Sequence, residues 1–221
     1  MKTSPKLESQ RAYERLVEML LSGEITEDQP LSERNLSERL GFGRTPVREA
    51  LRDLVREGVL ESHPTRGTVL RQLTLTDLHD LYELRSAIEG LAASLAAERG
   101  PVELLQPYAE AFERTLTSSS FDYHHVHDHG VEFHKEIIRL SGNKRLAELY
   151  QPFRLRFRIP FGIIRNRTPE RVREAVSEHY ELLEAIMARH PERARQLMCA
   201  HLKKGLEFRA EMLLHRQRYG M

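Results

Sequence analysis

One cysteine, Cys199, stands in a chain of 221 residues. That scarcity excludes a disulfide framework within the chain and fits a reducing cytoplasm. Long apolar runs are missing as well. No stretch approaches the roughly 20 residues that span a bilayer, and the N-terminus has no apolar core of a secretory leader. Charge is not in excess: 34 Lys and Arg stand against 33 Asp and Glu, a formal net charge of +1. A nucleic-acid coat protein is thereby excluded, and contact with DNA has to come from a local patch. The expectation is a cytoplasmic protein with no membrane association. Hydrophobic residues make up 40% of the chain, enough for ordinary cores, and the length allows one large domain or two modest ones.

What is present is arranged rather than abundant. Residues 43–54 read as a short helix. Thr45 can serve as its N-cap, with Pro46 at the first helical position, where a missing N–H costs nothing. Val47, Ala50, Leu51, Leu54 and Val55 keep the helical period and form a core stripe. Arg44, Thr45, Arg48 and Arg52 fall on the other face. Cations in a first helical turn oppose the helix dipole. A DNA phosphate or a guanine edge would supply the negative charge this helix lacks.

The flanks fit that reading. Leu31 to Leu40 forms another short helix that Ser32 can cap, and Gly41-Phe42-Gly43 makes the turn between the two. Helix, glycine-containing turn and polar-faced helix are the helix-turn-helix layout. Leu7 to Ser22 is amphipathic through Leu16, Val17, Leu20 and Leu21. After Gly58, residues 59–62 and 68–71 read as two strands joined by His63-Pro64-Thr65-Arg66-Gly67, a basic hairpin tip, or wing. Arg66 and Gly67 could approach the minor groove. The alternative is a small helical domain with solvated charges.

From Leu73 onward no strand is expected. Helices are predicted from Thr76 to about Arg99, after Pro101, from about Asp122 to Leu140, from Lys144, from Thr168 to about Arg189, and from Pro191 to about His215. Pro160 and Gly162 should kink or end the Lys144 helix. The fold class is therefore mainly α: a winged helix-turn-helix in residues 1–72 and an antiparallel bundle of six or seven helices in 73–221.

Two features of the bundle could carry chemistry. Arg85 interrupts the stripe Leu78, Leu81, Ile88, Ala92 and Leu95. It could clamp a ligand carboxylate or pair with Glu89 four residues on. His134, His179 and His201 fall on the inward sides of three different helices, His201 on a stripe of Ala194, Leu197, Gly205 and Phe208. They could converge on Zn²⁺ or Ni²⁺, or be unrelated core histidines. His124, His125, His127 and His129 suit a solvated polar face, and Cys199 a buried, inert thiol.

Arg44-Thr45-Pro46-Val47-Arg48-Glu49-Ala50-Leu51, followed by Leu54, Glu57-Gly58 and Arg66-Gly67, resembles the signature of the GntR superfamily of bacterial transcription regulators. Tyr82-Glu83-Leu84-Arg85, Glu89, Phe133-His134, Ser141-Gly142-Asn143 and Glu178-His179 are similar to the FCD ligand-binding domain of the FadR subfamily. The resemblance implies a homodimer on operator DNA, more often a repressor, controlled by a small organic acid. Arg34 and Thr45 would hold phosphates, Arg44 and Arg48 would read bases or clamp phosphates, and Arg52 would lie along the backbone. It further implies a divalent metal on one acidic residue and three histidines, which His134, His179 and His201 match, while Arg85 matches a position near the ligand carboxylate. The acidic position falls on Gly130, which offers no oxygen. Asp128 could replace it only through a distorted helix. A lesser departure is the Thr26–Pro30 loop, where a glycine usually follows the proline. Two other readings remain: a metal-dependent hydrolase using the three histidines, and a DNA-binding protein without an effector.

Overall fold

The computed structural model describes residues 5–26, 29–162 and 168–219. The departure noted at Thr26–Pro30 falls partly on Glu27 and Asp28, outside the described residues. By their contacts the residues divide into two compact units, Met1–Thr74 with Pro152–Arg165, and Leu75–Gln151 with Asn166–Met221.

The first unit holds α1 (Pro5–Ser22), α2 (Glu33–Leu40), α3 (Arg44–Arg56), β1 (Leu60–His63) and β2 (Gly67–Leu70). Its core joins Leu16 and Leu20 of α1, Leu36 of α2, and Val47, Ala50, Leu51 and Leu54 of α3 to Val59, Leu60 and Leu70 of the hairpin. Val55, expected in the same stripe, is only partly buried. The strands pair antiparallel from Leu60 opposite Leu70 to His63 opposite Gly67. The Leu31 N–H adds a bridge to the Thr68 carbonyl at 2.7 Å. Leu155, from the far half of α7 (Lys144–Gly162), completes this core. Its neighbour Arg156 donates from Nε to the Glu57 carbonyl at the end of α3.

The expected caps are corrected. Gly41 ends α2 in the left-handed region at φ 71°, and Gly43, extended at φ −63°, ψ 161°, is the N-cap of α3. Thr45 and Pro46 therefore stand at the second and third helical positions. The third N–H of a helix is unpaired in any case, so Pro46 is still tolerated. Ser32 occupies the N-cap position of α2 but makes no side-chain cap bond.

The second unit is helical throughout its described residues: α4 (Leu75–Arg99), a 3-10 turn (Val102–Leu105), α5 (Gln106–Thr117), α6 (Tyr123–Leu140), the near half of α7, α8 (Pro169–Met187) and α9 (Pro191–Tyr219). Thr168 caps α8, its hydroxyl accepting from the Arg171 N–H at 3.2 Å. α4 packs along α9 and against α6 and α8. Its buried face is broad and rotated from the expected stripe: Tyr82, Ala93, Ala96 and Ala97 turn inward, whereas Ile88 and Leu95 are half-buried. The inward stripe of α9 is likewise Ala194, Met198 and Leu202, and Leu197, Gly205 and Phe208 stand at its margin. Small side chains on facing helices let long helices approach closely over several turns.

Gly130 sets the approach of α6 to α8. A Cβ added there would stand 2.8 Å from His179 Cε1 and 3.2 Å from Nδ1. Alanine for glycine inside a helix ordinarily gains about 1 kcal/mol, while overpacking a core costs about 1–3 kcal/mol. Gly130→Ala is therefore expected to lower the thermal midpoint of the protein. A raised midpoint in calorimetry would show that the His179 ring yields freely.

Candidate functional site

The outer face of α3 is positive and open. Arg44, Thr45, Arg48 and Arg52 are exposed, as are Arg34 on α2 and Arg66 and Gly67 at the hairpin tip. No acidic residue stands in the first turn of α3. Among the described residues Arg44, Arg52 and Arg66 form no ion pair. Arg48 Nε donates to Glu33 at 3.2 Å, with 46% and 41% of the two side chains exposed. Arg34 donates to Glu38 at 3.1 Å. Such exposed pairs are worth about 0–1 kcal/mol, so an incoming phosphate or base edge can displace either carboxylate. Also at the surface, Ser9 hydrogen-bonds to Glu49 and ties α1 to α3.

In the second unit the three singled-out histidines meet. His134 Nε2 lies 3.0 Å from His179 Nε2, which lies 3.2 Å from His201 Nε2. His134 comes from α6, His179 from α8 and His201 from α9. Two of the rings are anchored from behind. His134 Nδ1 donates to Glu89 at 2.5 Å and His201 Nδ1 to Glu178 at 2.6 Å. A proton on Nδ1 puts a lone pair on Nε2. The carboxylates therefore aim two lone pairs at His179 Nε2, an arrangement relieved by a proton or a cation between them.

The electrostatics keep the His179 and His201 rings neutral. Burial pushes His179 well below its ordinary value. Burial also takes His201 down to about 4, against the opposing pull of Glu178. Neutral imidazole is the form that binds metal. The His179 Nδ1 is buried without a hydrogen-bond partner among the described residues, and it lies close to the bare backbone at Gly130. These three nitrogens, each able to offer one ligand atom, fit a divalent cation. Asp128 is exposed and is not among the converging donors, and α6 runs through Gly130 as regular helix. The distortion that would have brought Asp128 in is absent.

Arg85 is 6% exposed and Glu89 fully buried. Arg85 donates to Glu89 from Nε at 2.7 Å and from Nη2 at 3.5 Å. Burial alone would raise the Glu89 pKa, but Arg85 and then His134 hold it at about 2. The i,i+4 pair exists, and its carboxylate also serves His134. Glu178 likewise serves His201 while meeting Lys204 at 3.2 Å and Arg171 at 3.3 Å.

These anchoring roles of Glu89 and Glu178 are not expected from spacing. The four-residue step from Arg85 to Glu89 is the one local signal. Of the α6 histidines, His129 is not solvated as expected. It packs on Tyr108 and Phe112, ring centroids 4.8 and 5.7 Å away, because its turn of α6 faces α5. The His124 side chain is outside the described residues. Cys199 is half-buried with its thiol pushed up by burial.

No helix among the described residues is long and apolar enough to cross a membrane. Residues 8–70 match the family "Bacterial regulatory proteins, gntR family" and residues 80–204 match the FCD domain. The chain is 28% identical over 196 residues to the "Probable D-xylose utilization operon transcriptional repressor" of Paenarthrobacter nicotinovorans, covering 85% of this chain and 82% of that one. It is 27% identical over 215 residues to the "Glc operon transcriptional activator" of Escherichia coli K12, covering 86% and 84%. Among solved structures, Escherichia coli McbR/YncC shares the fold with a TM-score of 0.77 at 22% identity, covering 95% of this chain and 98% of that one. The two sequence relatives are named as transcription regulators, which favours the regulator reading over the hydrolase alternative. With a basic helix-turn-helix and wing in one unit and an FCD bundle in the other, the chain is a DNA-binding transcription regulator of the GntR family with an FCD domain.

Proposed function

We propose that this regulator is a cytoplasmic homodimeric repressor whose hold on operator DNA is set by a small carboxylate effector bound in the helical bundle. Residues 1–72 would form the DNA-binding domain, and residues 73–221 the effector-binding and dimerisation domain. The observation that carries the effector reading is the convergence of three imidazole nitrogens beside a buried arginine. His134, His179 and His201 would hold Zn²⁺ or Ni²⁺, and Arg85 would meet the effector carboxylate. The metal would supply a Lewis-acidic coordination position for an effector oxygen. Effector binding would shift the population of dimers toward a spacing of winged helices that no longer matches the two half-sites.

At the DNA, Arg44 and Arg48 would read base edges or clamp phosphates in the major groove, with Arg34, Thr45 and Arg52 on the backbone. Arg66 and Gly67 would approach the minor groove. Support comes from their shared exposure and from the weak, displaceable pair between Arg48 and Glu33.

Arg48→Ala is expected to weaken operator binding by about 1–3 kcal/mol, with a smaller loss on a scrambled site. Equal losses on both, measured by fluorescence anisotropy at one fixed salt concentration, would reduce Arg48 to a phosphate contact. Elemental analysis of untagged protein should find about one divalent ion per chain, and His179→Ala should lose it. Metal-free wild-type protein that stays metal-free after incubation with Zn²⁺ or Ni²⁺ would overturn the metal assignment.

A further inference from the structure

The outward face of α4 is apolar where water meets it. Between Leu84 and Ala97 the only charged residues are Arg85 and Glu89, and both are buried on the inward face. About 20 Å of this helix therefore meets solvent without a charge. Charges return at Glu83 and Glu98, the two ends of that stretch. On the outward face Leu84 is 52% and Leu91 45% exposed, with Ala87 exposed beside them and Ile88 and Leu95 half-buried. Adjacent large aliphatic side chains left to water mark an interaction surface.

The spacing of the stripe says what covers it. Asp80, Leu84, Ile88, Leu91, Leu95 and Arg99 follow one another at steps of 4, 4, 3, 4 and 4 residues, all on one side of the helix. Those steps read the same from either end. An acid opens the stripe, a base closes it, and four aliphatic side chains lie between. Asp80 and Arg99 are both exposed, and the Arg99 Nε donates to the Ser141 carbonyl at 3.0 Å, which steadies the guanidinium. A stripe of this symmetry is complementary to itself turned end for end. Against a second α4 running antiparallel, Leu84 meets the partner's Leu95, Ile88 meets the partner's Leu91, and Asp80 meets the partner's Arg99. Each pairing occurs twice, as a two-fold axis requires. A parallel copy would set acid against acid and base against base, with the helix dipoles aligned instead of opposed.

We propose that this stripe of α4 is the seam of the homodimer, packed antiparallel on the same stripe of a second copy. The inference rests on the homodimer reading above and adds the surface and its register. The inward face of the same helix carries Arg85 and Glu89, so a single helix joins the histidine cluster to the seam.

The test is sedimentation equilibrium of the untagged full chain. Wild-type protein should be dimeric. Leu91→Glu should raise the dimer dissociation constant at least about 100-fold, since it removes a leucine from the seam on both sides of the axis. Its helix content by circular dichroism should be unchanged. Asp80→Arg, which sets like charges at both ends, should weaken the dimer by a smaller factor that shrinks as salt is raised. The register is read separately, in a Cys199→Ser background. A chain carrying both Leu84→Cys and Leu95→Cys should form intermolecular disulfides on mild oxidation, and either substitution alone should not.

A wild-type monomer at every concentration would sink the homodimer reading and the seam with it. A dimer untouched by Leu91→Glu would overturn the seam and leave the homodimer standing. Absence of the cross-link, or one formed as readily with a single substitution, would also overturn the inference. The cross-link and Asp80→Arg carry the test should Leu91→Glu fail to fold.

Discussion

Much of the second unit depends on one buried carboxylate. Glu89 is shut away from water, and an isolated charge there would be untenable. Its two oxygens are claimed by Arg85 and His134, and removing either partner from such a pair costs about 3–5 kcal/mol. The carboxylate holds the Arg85 guanidinium on α4, fixes the His134 tautomer, and ties α4 to α6. Glu178 repeats the device for His201 on the other side of the cluster. The histidines converge because two carboxylates behind them decide which nitrogen faces inward. Conservation of volume alone would not hold this cluster: a glutamine at position 89 fills the same space but offers one acceptor oxygen where Arg85 and His134 use two.

The first unit follows the opposite electrostatic logic. Its core is built from apolar side chains, and the arginines of α3 and the hairpin tip stand on a surface that water reaches. The pairs Arg48–Glu33 and Arg34–Glu38 are exposed and weak. Arg44 in the first turn of α3 lies against the positive end of the helix dipole, a small cost in the free protein that an anionic partner turns into a gain. A net charge of +1 for the whole chain hides this patch, because acidic residues elsewhere cancel it in the sum and leave it in place locally.

The readability of the sequence follows the same divide. Apolar periodicity located every helix, and the glycine and proline punctuation located the turn and the hairpin to within a residue or two. Each of those signals is local. The cap of α3 is misread from sequence because Gly43 caps through its extended backbone, and a glycine carries no side-chain signature of capping. The stripes on α4 and α9 were rotated because alanines and glycines, which periodicity weighs lightly, form the actual contact. His134, His179 and His201 could be placed inward, but their meeting depends on three helix axes, which spacing along one chain does not encode. Glu89 was legible as the partner of Arg85 because that contact spans four residues. Its bond to His134 spans 45 residues and left no local trace.

Gly130 ties the packing of the cluster to its charge. The absence of a side chain there lets the His179 ring press against α6, and it also means that no acid from this turn enters the cluster. The negative charge sits one shell back, on Glu89 and Glu178, where it is already matched by Arg85, Arg171 and Lys204. A cation held by imidazole nitrogens alone keeps its full charge, whereas a carboxylate ligand would cancel part of it. Glycine at position 130 therefore does more than omit a ligand: it sets how closely α6 and α8 approach at the histidines.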